Sequence, residues 1–196
     1  DSPVLCTFLV LRGAPLPGFV AEGVATNALY RNGGDGTFSN ATVQTGTGHT
    51  GYGMGACAGD IDNDGHIDLY VTNFGPNVLY LNNGDGTFTD RAAGVEDPRL
   101  SASAAFADID NDGDLDLYVA NNARIDMARD EGCRRGEIPV YCAPTEYPGE
   151  SGALYRNDGG VSFADITRAA GLYDESGRQL GVVFGDYDDD GDQDLY

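Results

Sequence analysis

Asp60-Ile61-Asp62-Asn63-Asp64-Gly65-His66-Ile67-Asp68 runs directly into Leu69-Tyr70-Val71, and the same pattern returns twice. In the second copy, Asp108-Ile109-Asp110-Asn111-Asp112-Gly113-Asp114-Leu115-Asp116 precedes Leu117-Tyr118-Val119. In the third, Asp186-Tyr187-Asp188-Asp189-Asp190-Gly191-Asp192-Gln193-Asp194 precedes Leu195-Tyr196. Each copy follows a short apolar or small-residue run, at 53–59, 102–107 and 180–185. A second block alternates with the first. It reads Asn27-Ala28-Leu29-Tyr30-Arg31-Asn32-Gly33-Gly34-Asp35-Gly36-Thr37-Phe38, then Asn77-Val78-Leu79-Tyr80-Leu81-Asn82-Asn83-Gly84-Asp85-Gly86-Thr87-Phe88, then Gly152-Ala153-Leu154-Tyr155-Arg156-Asn157-Asp158-Gly159-Gly160-Val161-Ser162-Phe163. The acidic blocks start 48 and then 78 residues apart, and the tyrosine blocks 50 and then 75. A period of this size marks a repeat architecture.

Within each period the apolar runs are short and divided by Gly, Asn and Asp, and helical periodicity is not sustained. Leu79-Tyr80-Leu81 and Thr87-Phe88-Thr89, joined through Asn-Gly-Asp-Gly, read as a hairpin, because Gly and Asn tolerate the positive φ its turn needs. About four short strands per ~48 residues indicate an all-β chain of propeller-type blades. The boundaries fall at 1–50 for a partial first blade, 51–100 for a second, 101–178 for a third and 179–196 for the start of a fourth. Some three repeats make an incomplete ring, since closed rings take four to eight blades. Ala92-Ala93-Gly94 and Arg168-Ala169-Ala170-Gly171 are expected to add a helical turn after their hairpins. The long third period carries an insert at 121–150, rich in Pro, Arg and Glu, which is expected to leave the blade as a loop because no alternation runs through it. Val4 to Leu11 lacks a basic leader and a small-residue cleavage site, so it reads as a strand, and any export signal is expected to have been removed.

The pattern D-x-D-x-D-G-x-x-D carries the clearest chemistry. Three carboxylates at alternate positions converge only if the chain curls around a point, and Gly at the sixth position permits that bend. The seventh residue then offers its carbonyl, and the ninth closes the shell with a carboxylate. An all-oxygen shell of high negative charge selects a hard cation, and a flexible loop favours Ca²⁺ over Mg²⁺. Zinc is a poor candidate, because His and Cys are not clustered with these carboxylates. An EF-hand begins in the same way but needs Glu at the twelfth position and flanking helices; here the twelfth residues are Val71 and Val119, inside strand-like runs. Two carboxylates ~4 Å apart repel by up to ~4 kcal/mol at an effective dielectric of ~20, so a cluster of four or five needs a counter-ion.

Composition agrees. The 196 residues carry 32 acidic against 11 basic side chains, a formal charge of −21. That excludes nucleic-acid binding through phosphate neutralisation and disfavours adsorption to anionic lipid. There are 25 Asp to 7 Glu, and 15 of the Asp lie in the three nine-residue loops, so the excess of the short carboxylate looks like a ligand count. No apolar stretch approaches the ~20 residues of a membrane span.

The alternation of the acidic block with N-x-L-Y-x-N-x-G-D-G-x-F resembles the FG-GAP/VCBS repeat of calcium-binding propellers. It is most similar to the extracellular ASPIC/UnbV-type proteins related to cartilage acidic protein, and more distantly to the calcium blades of integrin α-chains. The resemblance covers about residues 26–196. It implies three Ca²⁺ sites with these ligands: Asp60, Asp62, Asp64, the carbonyl of His66 and Asp68; Asp108, Asp110, Asp112, the carbonyl of Asp114 and Asp116; Asp186, Asp188, Asp190, the carbonyl of Asp192 and Asp194. It also implies a secreted or cell-surface location.

Cys133 and Cys142 bracket eight residues of the insert, and a disulfide there is expected in an oxidising compartment. For Cys6 and Cys57, a bridge and two buried free thiols both remain open. Asn40-Ala41-Thr42 is an N-glycosylation sequon. Tyr30, Tyr80 and Tyr155 recur once per blade, which fits packing better than ligand stacking. His49 and His66 are the only histidines, and no nucleophile elbow or activated cysteine pattern accompanies them; a catalytic role is not expected. The chain begins and ends inside a blade, leaving strand edges unpaired. Either it is a fragment of a larger propeller, or the Val4 to Val10 strand of one copy completes the open blade of the next, giving a filament. Three functions remain at this stage: a calcium-stabilised scaffold or adhesion module, a propeller that binds a protein or glycan, and an enzyme or biosynthetic accessory of UnbV type.

Overall fold

The computed structural model describes residues 5–8, 26–126, 132–140 and 142–196, with the backbone alone described at 5–8, 139 and 144. Strands β1 (Leu5–Phe8), β2 (Ala28–Asn32) and β3 (Phe38–Asn40) form an antiparallel three-stranded sheet, followed by a single turn of helix, α1 (Thr42–Thr45). The second sheet contains β4 (Tyr52–Gly59), β5 (Asp68–Phe74), β6 (Val78–Asn82) and β7 (Phe88–Asp90), in that spatial order. The third is built from β8 (Ser101–Ala107) and β9 (Asp116–Asn121), continues after the insert with β12 (Ala153–Asn157) and β13 (Phe163–Asp165), and has the order β8-β9-β12-β13. The insert contributes a hairpin, β10 (Cys133–Arg135) with β11 (Ile138–Val140). A two-stranded sheet of β14 (Phe184–Gly185) and β15 (Asp194–Leu195) follows. Every pairing is antiparallel, and the described residues form no closed ring.

The Leu-Tyr-Val runs form the buried middle strands, and their alternation explains the packing. Successive side chains of a strand point to opposite faces. Leu69 and Val71 on β5 therefore meet Leu29, Ala41, Val78 and Tyr80 between the first and second sheets. Tyr70, between them in sequence, turns the other way and packs with Leu79, Leu117, Val119 and Tyr155 between the second and third. On β9 the pattern repeats one sheet further on: Leu117 and Val119 face back, while Tyr118 and Ala120 face forward to Leu154 and the fourth repeat. Each middle strand is thus buried on both faces. Tyr80 and Tyr155 lie in these clusters, which accounts for their recurrence as packing residues.

The small residues of the inner strands let adjacent sheets approach. β4 packs directly against β8, and β8 touches β14. A Cβ on Gly59 would lie 2.7 Å from Leu115 Cδ1, so a larger residue there would push the second and third sheets apart.

At the opposite end of the sheets from the acidic loops, a polar chain crosses between the second and third repeats. Tyr70 Oη donates to the Val95 carbonyl and accepts from Asn77 Nδ2, which also donates to Ser101 Oγ at 2.9 Å. Ser101 donates to Asn121 Oδ1 at 2.8 Å, and Asn121 Nδ2 donates to Asp97 Oδ2 at 3.0 Å, where Arg99 forms an ion pair. These buried groups satisfy one another, as groups removed from water must.

Two expectations need correction. The insert is not wholly irregular: a hairpin turning at Gly136 and Glu137, and a 3₁₀ turn at Pro144–Glu146, arise where the disulfide holds the chain together. Ala92-Ala93-Gly94 makes no helical turn; the Arg91 amide returns to the Leu79 carbonyl at 2.8 Å, and the chain bends at Gly94. The turn does form at 167–171, where the Ala170 amide donates to the Ile166 carbonyl at 2.8 Å, and in the first repeat it forms as α1. Of the expected Val4 to Leu11 strand, Leu5–Phe8 is described and pairs with β2; the rest lies outside the described residues.

Candidate metal centre

Each acidic block connects two paired strands of one sheet, β4 to β5, β8 to β9 and β14 to β15, and its first aspartate organises it. Asp60 accepts the Asp64 amide on Oδ1 at 3.1 Å and the Gly65 amide on Oδ2 at 2.9 Å, curling the chain around its carboxylate. Asp108 does the same with Asp112 and Gly113 at 3.1 and 3.0 Å, and Asp186 with Asp190 and Gly191 at 3.1 and 3.0 Å. The sixth residue lies in the left-handed region in every loop, with φ of 89° at Gly65, 93° at Gly113 and 95° at Gly191. A Cβ is strained there, so glycine is required.

The ninth residue anchors the loop to its sheet. Asp68, 1% exposed, accepts the Ile61 amide at 2.9 Å and the Asn82 amide at 2.8 Å. Asp116, also buried, accepts from Ile109 at 2.9 Å and Asn157 at 2.8 Å. Asp194 accepts the Tyr187 amide at 3.0 Å. Carboxylate oxygens of the first, third and ninth residues converge, lying within 4.8 Å of one another in each set: Asp60, Asp62, Asp68; Asp108, Asp110, Asp116; Asp186, Asp188, Asp194. The fifth residues stand apart from these triplets. Asp64, Asp112 and Asp190 each accept the amide of the seventh residue, from His66 at 2.8 Å, Asp114 at 2.9 Å and Asp192 at 2.9 Å. Among the described residues, the carbonyls of His66, Asp114 and Asp192 accept no hydrogen bond.

Two observations test whether a cation fits. Asp62 Oδ1 is buried and has no hydrogen-bond partner, although it sits among carboxylates. A lone acceptor of that kind is costly unless something positive meets it. Burial also pushes the Asp68 carboxyl above the ordinary carboxylate range; the amides of Asn82 and Ile61 oppose the shift, and the charges of Asp62 and Asp64 add to it. Asp116 is raised in the same way, by burial first and then by Asp110 and Asp112 against the amides of Ile109 and Asn157. The donors are all oxygen, so the sets fit a hard divalent ion.

The FG-GAP-like repeat matches the chain over residues 19–71 and 60–119, which together span the first two acidic loops and more than half of the sequence. The chain belongs to the FG-GAP-like repeat family. No curated protein matches it. One FG-GAP-like match opens at Asp60 and closes at Val119, so it runs from the first residue of one loop to the end of the Leu-Tyr-Val run beyond the next.

Three sets of residues that sequence reading missed complete the FG-GAP-like loops. Asn82 and Asn157, sixth in their tyrosine blocks, supply the amide to the ninth carboxylate and a side-chain bond to the loop carbonyl of Ile67 at 3.0 Å or Leu115 at 3.4 Å. The signal was present, since Asn recurs at that position in all three blocks. The glycine two residues on makes room for the seventh loop residue: a Cβ on Gly84 would stand 2.5 Å from His66 Nε2, and one on Gly159 3.3 Å from Asp114 Oδ2. Asn63 and Asn111, fourth in their loops, reach across to the next loop, which spacing within one loop cannot reveal.

The remaining candidates lie elsewhere. Cys133 and Cys142 form a disulfide with Cα atoms 5.0 Å apart. Cys57 is a free thiol whose pKa burial pushes well up, and the Cys6 side chain lies outside the described residues. Asn40 is exposed, and its Oδ1 accepts the Thr42 amide at 3.0 Å while Thr42 Oγ1 accepts the Leu29 amide at 2.9 Å. Asp165 and Thr167 hold the same two bonds, at 2.9 Å each, on the third sheet. The Asn-x-Thr triplet therefore has a structural use that is independent of any glycan.

Proposed function

We propose that the three loops bind Ca²⁺ and that the chain is a calcium-stabilised, propeller-type repeat region of a secreted or cell-surface protein, acting as a structural or adhesive scaffold. The observation that carries the reading is the threefold recurrence of a converging aspartate triplet, each in the connection between two paired strands of a sheet. The unpartnered Asp62 Oδ1 supports it, as does the likeness of the blocks to calcium-binding VCBS and ASPIC/UnbV repeats. A bound ion supplies charge neutralisation; the chain's own residues do the rest. Asp60 and its equivalents shape the loop, Asp62 and its equivalents close it, and Asp68 and Asp116 join it to the core through paired amides.

The magnitude suits a structural role. At a free concentration about twentyfold above a Kd of ~10⁻⁴ M, one ion stabilises the folded chain by ~1.8 kcal/mol, and three together by ~5 kcal/mol. That is comparable to the whole stability of an ordinary domain. Sites this weak fill outside cells, where the Cys133–Cys142 disulfide also persists. That disulfide closes a hairpin with Arg134, Arg135 and Ile138 exposed, and a protein or glycan partner, or another copy of the chain, is proposed to meet this insert. Catalysis forms no part of the proposal.

The test is thermal unfolding in millimolar Ca²⁺ and in EGTA. Stabilisation by Ca²⁺ that Mg²⁺ does not reproduce supports the reading, and identical melting in both ions and in chelator contradicts it. Light scattering on the Ca²⁺-loaded chain distinguishes the assembly reading from a monomer of 20.6 kDa.

A further inference from the structure

The loops are tied to one another as well as to their own sheets. Asn63 Nδ2 donates to Asp114 Oδ1 at 2.7 Å and to the Gly113 carbonyl at 3.3 Å. Asn111, at the same position of the second loop, donates from Nδ2 to Asp192 Oδ1 at 3.0 Å. Both acceptors, Asp114 and Asp192, are seventh residues, whose carbonyls belong to the metal shell in the reading above. Both donors sit in the left-handed region, with φ of 58° and 60°, where Asn is better tolerated than other non-glycine residues.

Beneath this rim, Asn157 links the first two loops a second time. Its amide serves Asp116 Oδ1 at 2.8 Å, and its Nδ2 reaches the carbonyl of Ile61, in the first loop, at 3.0 Å. Asn157 and Ile61 are 1% and 0% exposed, so this contact is shielded from water.

We propose that these asparagines couple the loops, so that an ion bound in one raises the affinity of its neighbour. The inference rests on the calcium reading. An ion held by the second loop fixes the Asp114 main chain, and with it the carboxylate that Asn63 needs. An ion in the first loop fixes the left-handed turn that aims Asn63. Linkage makes the effect reciprocal. The first pair of loops is joined at the rim and in the core, the second pair at the rim through Asn111, so the first pair is the more strongly coupled. Asp189 occupies the donor position of the third loop at φ 60°. An ionised carboxylate only accepts, so the series of donors stops at Asn111.

The test is calorimetric titration of the full chain with CaCl₂, with the third loop disabled by Asp188→Asn so that two sites remain. The second ion is expected to bind about fivefold more tightly than two independent sites would allow. Asn63→Gly keeps the left-handed turn, removes the donor and leaves the charge unchanged; it should reduce that factor to about twofold, the remainder being carried by Asn157. Two ions binding independently in the parent, or an unchanged factor in Asn63→Gly, overturns the coupling alone. Absence of binding in the parent overturns the calcium reading, and the coupling with it. Should Asn63→Gly not fold, Asn111→Gly in a chain whose first loop is disabled by Asp62→Asn reads the second link in the same way.

Discussion

Asp62→Asn separates a metal ligand from a turn residue, because the two roles give opposite signs in the metal-free chain. Asp62 Oδ1 has no hydrogen-bond partner to lose. Its carboxylate stands within 4.8 Å of oxygens of Asp60 and Asp68. At that separation a like-charge pair costs about 1 kcal/mol in a water-like medium and more at a lower effective dielectric. In EGTA the substitution should therefore stabilise the chain by about 1 kcal/mol, raising Tm by about 2–4 °C for a domain of this size. With Ca²⁺ in excess, one of three sites is lost, so the stabilisation gained on adding the ion should fall by ~1.8 kcal/mol, or about 4–7 °C of Tm increment. Differential scanning calorimetry of both chains in both buffers reads all four values. Asp68→Asn makes the contrast: it replaces an acceptor of two backbone amides, so it should destabilise by ~1–3 kcal/mol already in EGTA, and in Ca²⁺ it should lose the ion's contribution as well. If Asp62→Asn lowered Tm equally in EGTA and in Ca²⁺, the loop would be a plain aspartate-rich turn and the ligand assignment would fail.

Other expectations concern the fold around the loops. Tyr70→Phe leaves the Val95 carbonyl and the Asn77 amide without their shared partner, and urea titration should show a loss of ~1–3 kcal/mol. Thr42→Ala strips the buried Leu29 amide of its acceptor and should cost a similar ~1–3 kcal/mol, whereas Asn40→Asp, which copies Asp165, should stay within about 0.5 kcal/mol of the parent. Reducing the Cys133–Cys142 bond should speed tryptic cleavage at the exposed Arg134 and Arg135 while leaving the Ca²⁺-dependent Tm increment in place, because among the described residues the hairpin it closes pairs with no strand of the blades. A collapse of the blades on reduction would contradict that separation.

Much of this was legible in the order of residues. The Leu-Tyr-Val runs announced middle strands, and the glycine-rich turns announced hairpins, because both signals are local: a period of two and a positive φ. The converging triplets were legible for the same reason, since alternate aspartates and one glycine suffice to curl a chain. What escaped was everything that spans repeats. Nothing near Asn63 in sequence announces Asp114, and nothing near Asn157 announces Ile61, which lies 96 residues earlier. Spacing also gave no sign that Asp64, Asp112 and Asp190 each accept the amide of the seventh loop residue. Ala92-Ala93-Gly94 and Arg168-Ala169-Ala170-Gly171 look alike as strings, yet the second curls into a turn beside Thr167 and the first does not, for Thr167 braces its turn against Leu154 and no threonine stands in the corresponding place after β7.

The most direct measurement of the central claim is the number of Ca²⁺ ions held per chain, counted by equilibrium dialysis with elemental analysis on the parent and on Asp62→Asn, Asp110→Asn and Asp188→Asn. Three ions on the parent and two on each variant is the expected result. No bound Ca²⁺ at millimolar concentration, or the same count on all four chains, would contradict it.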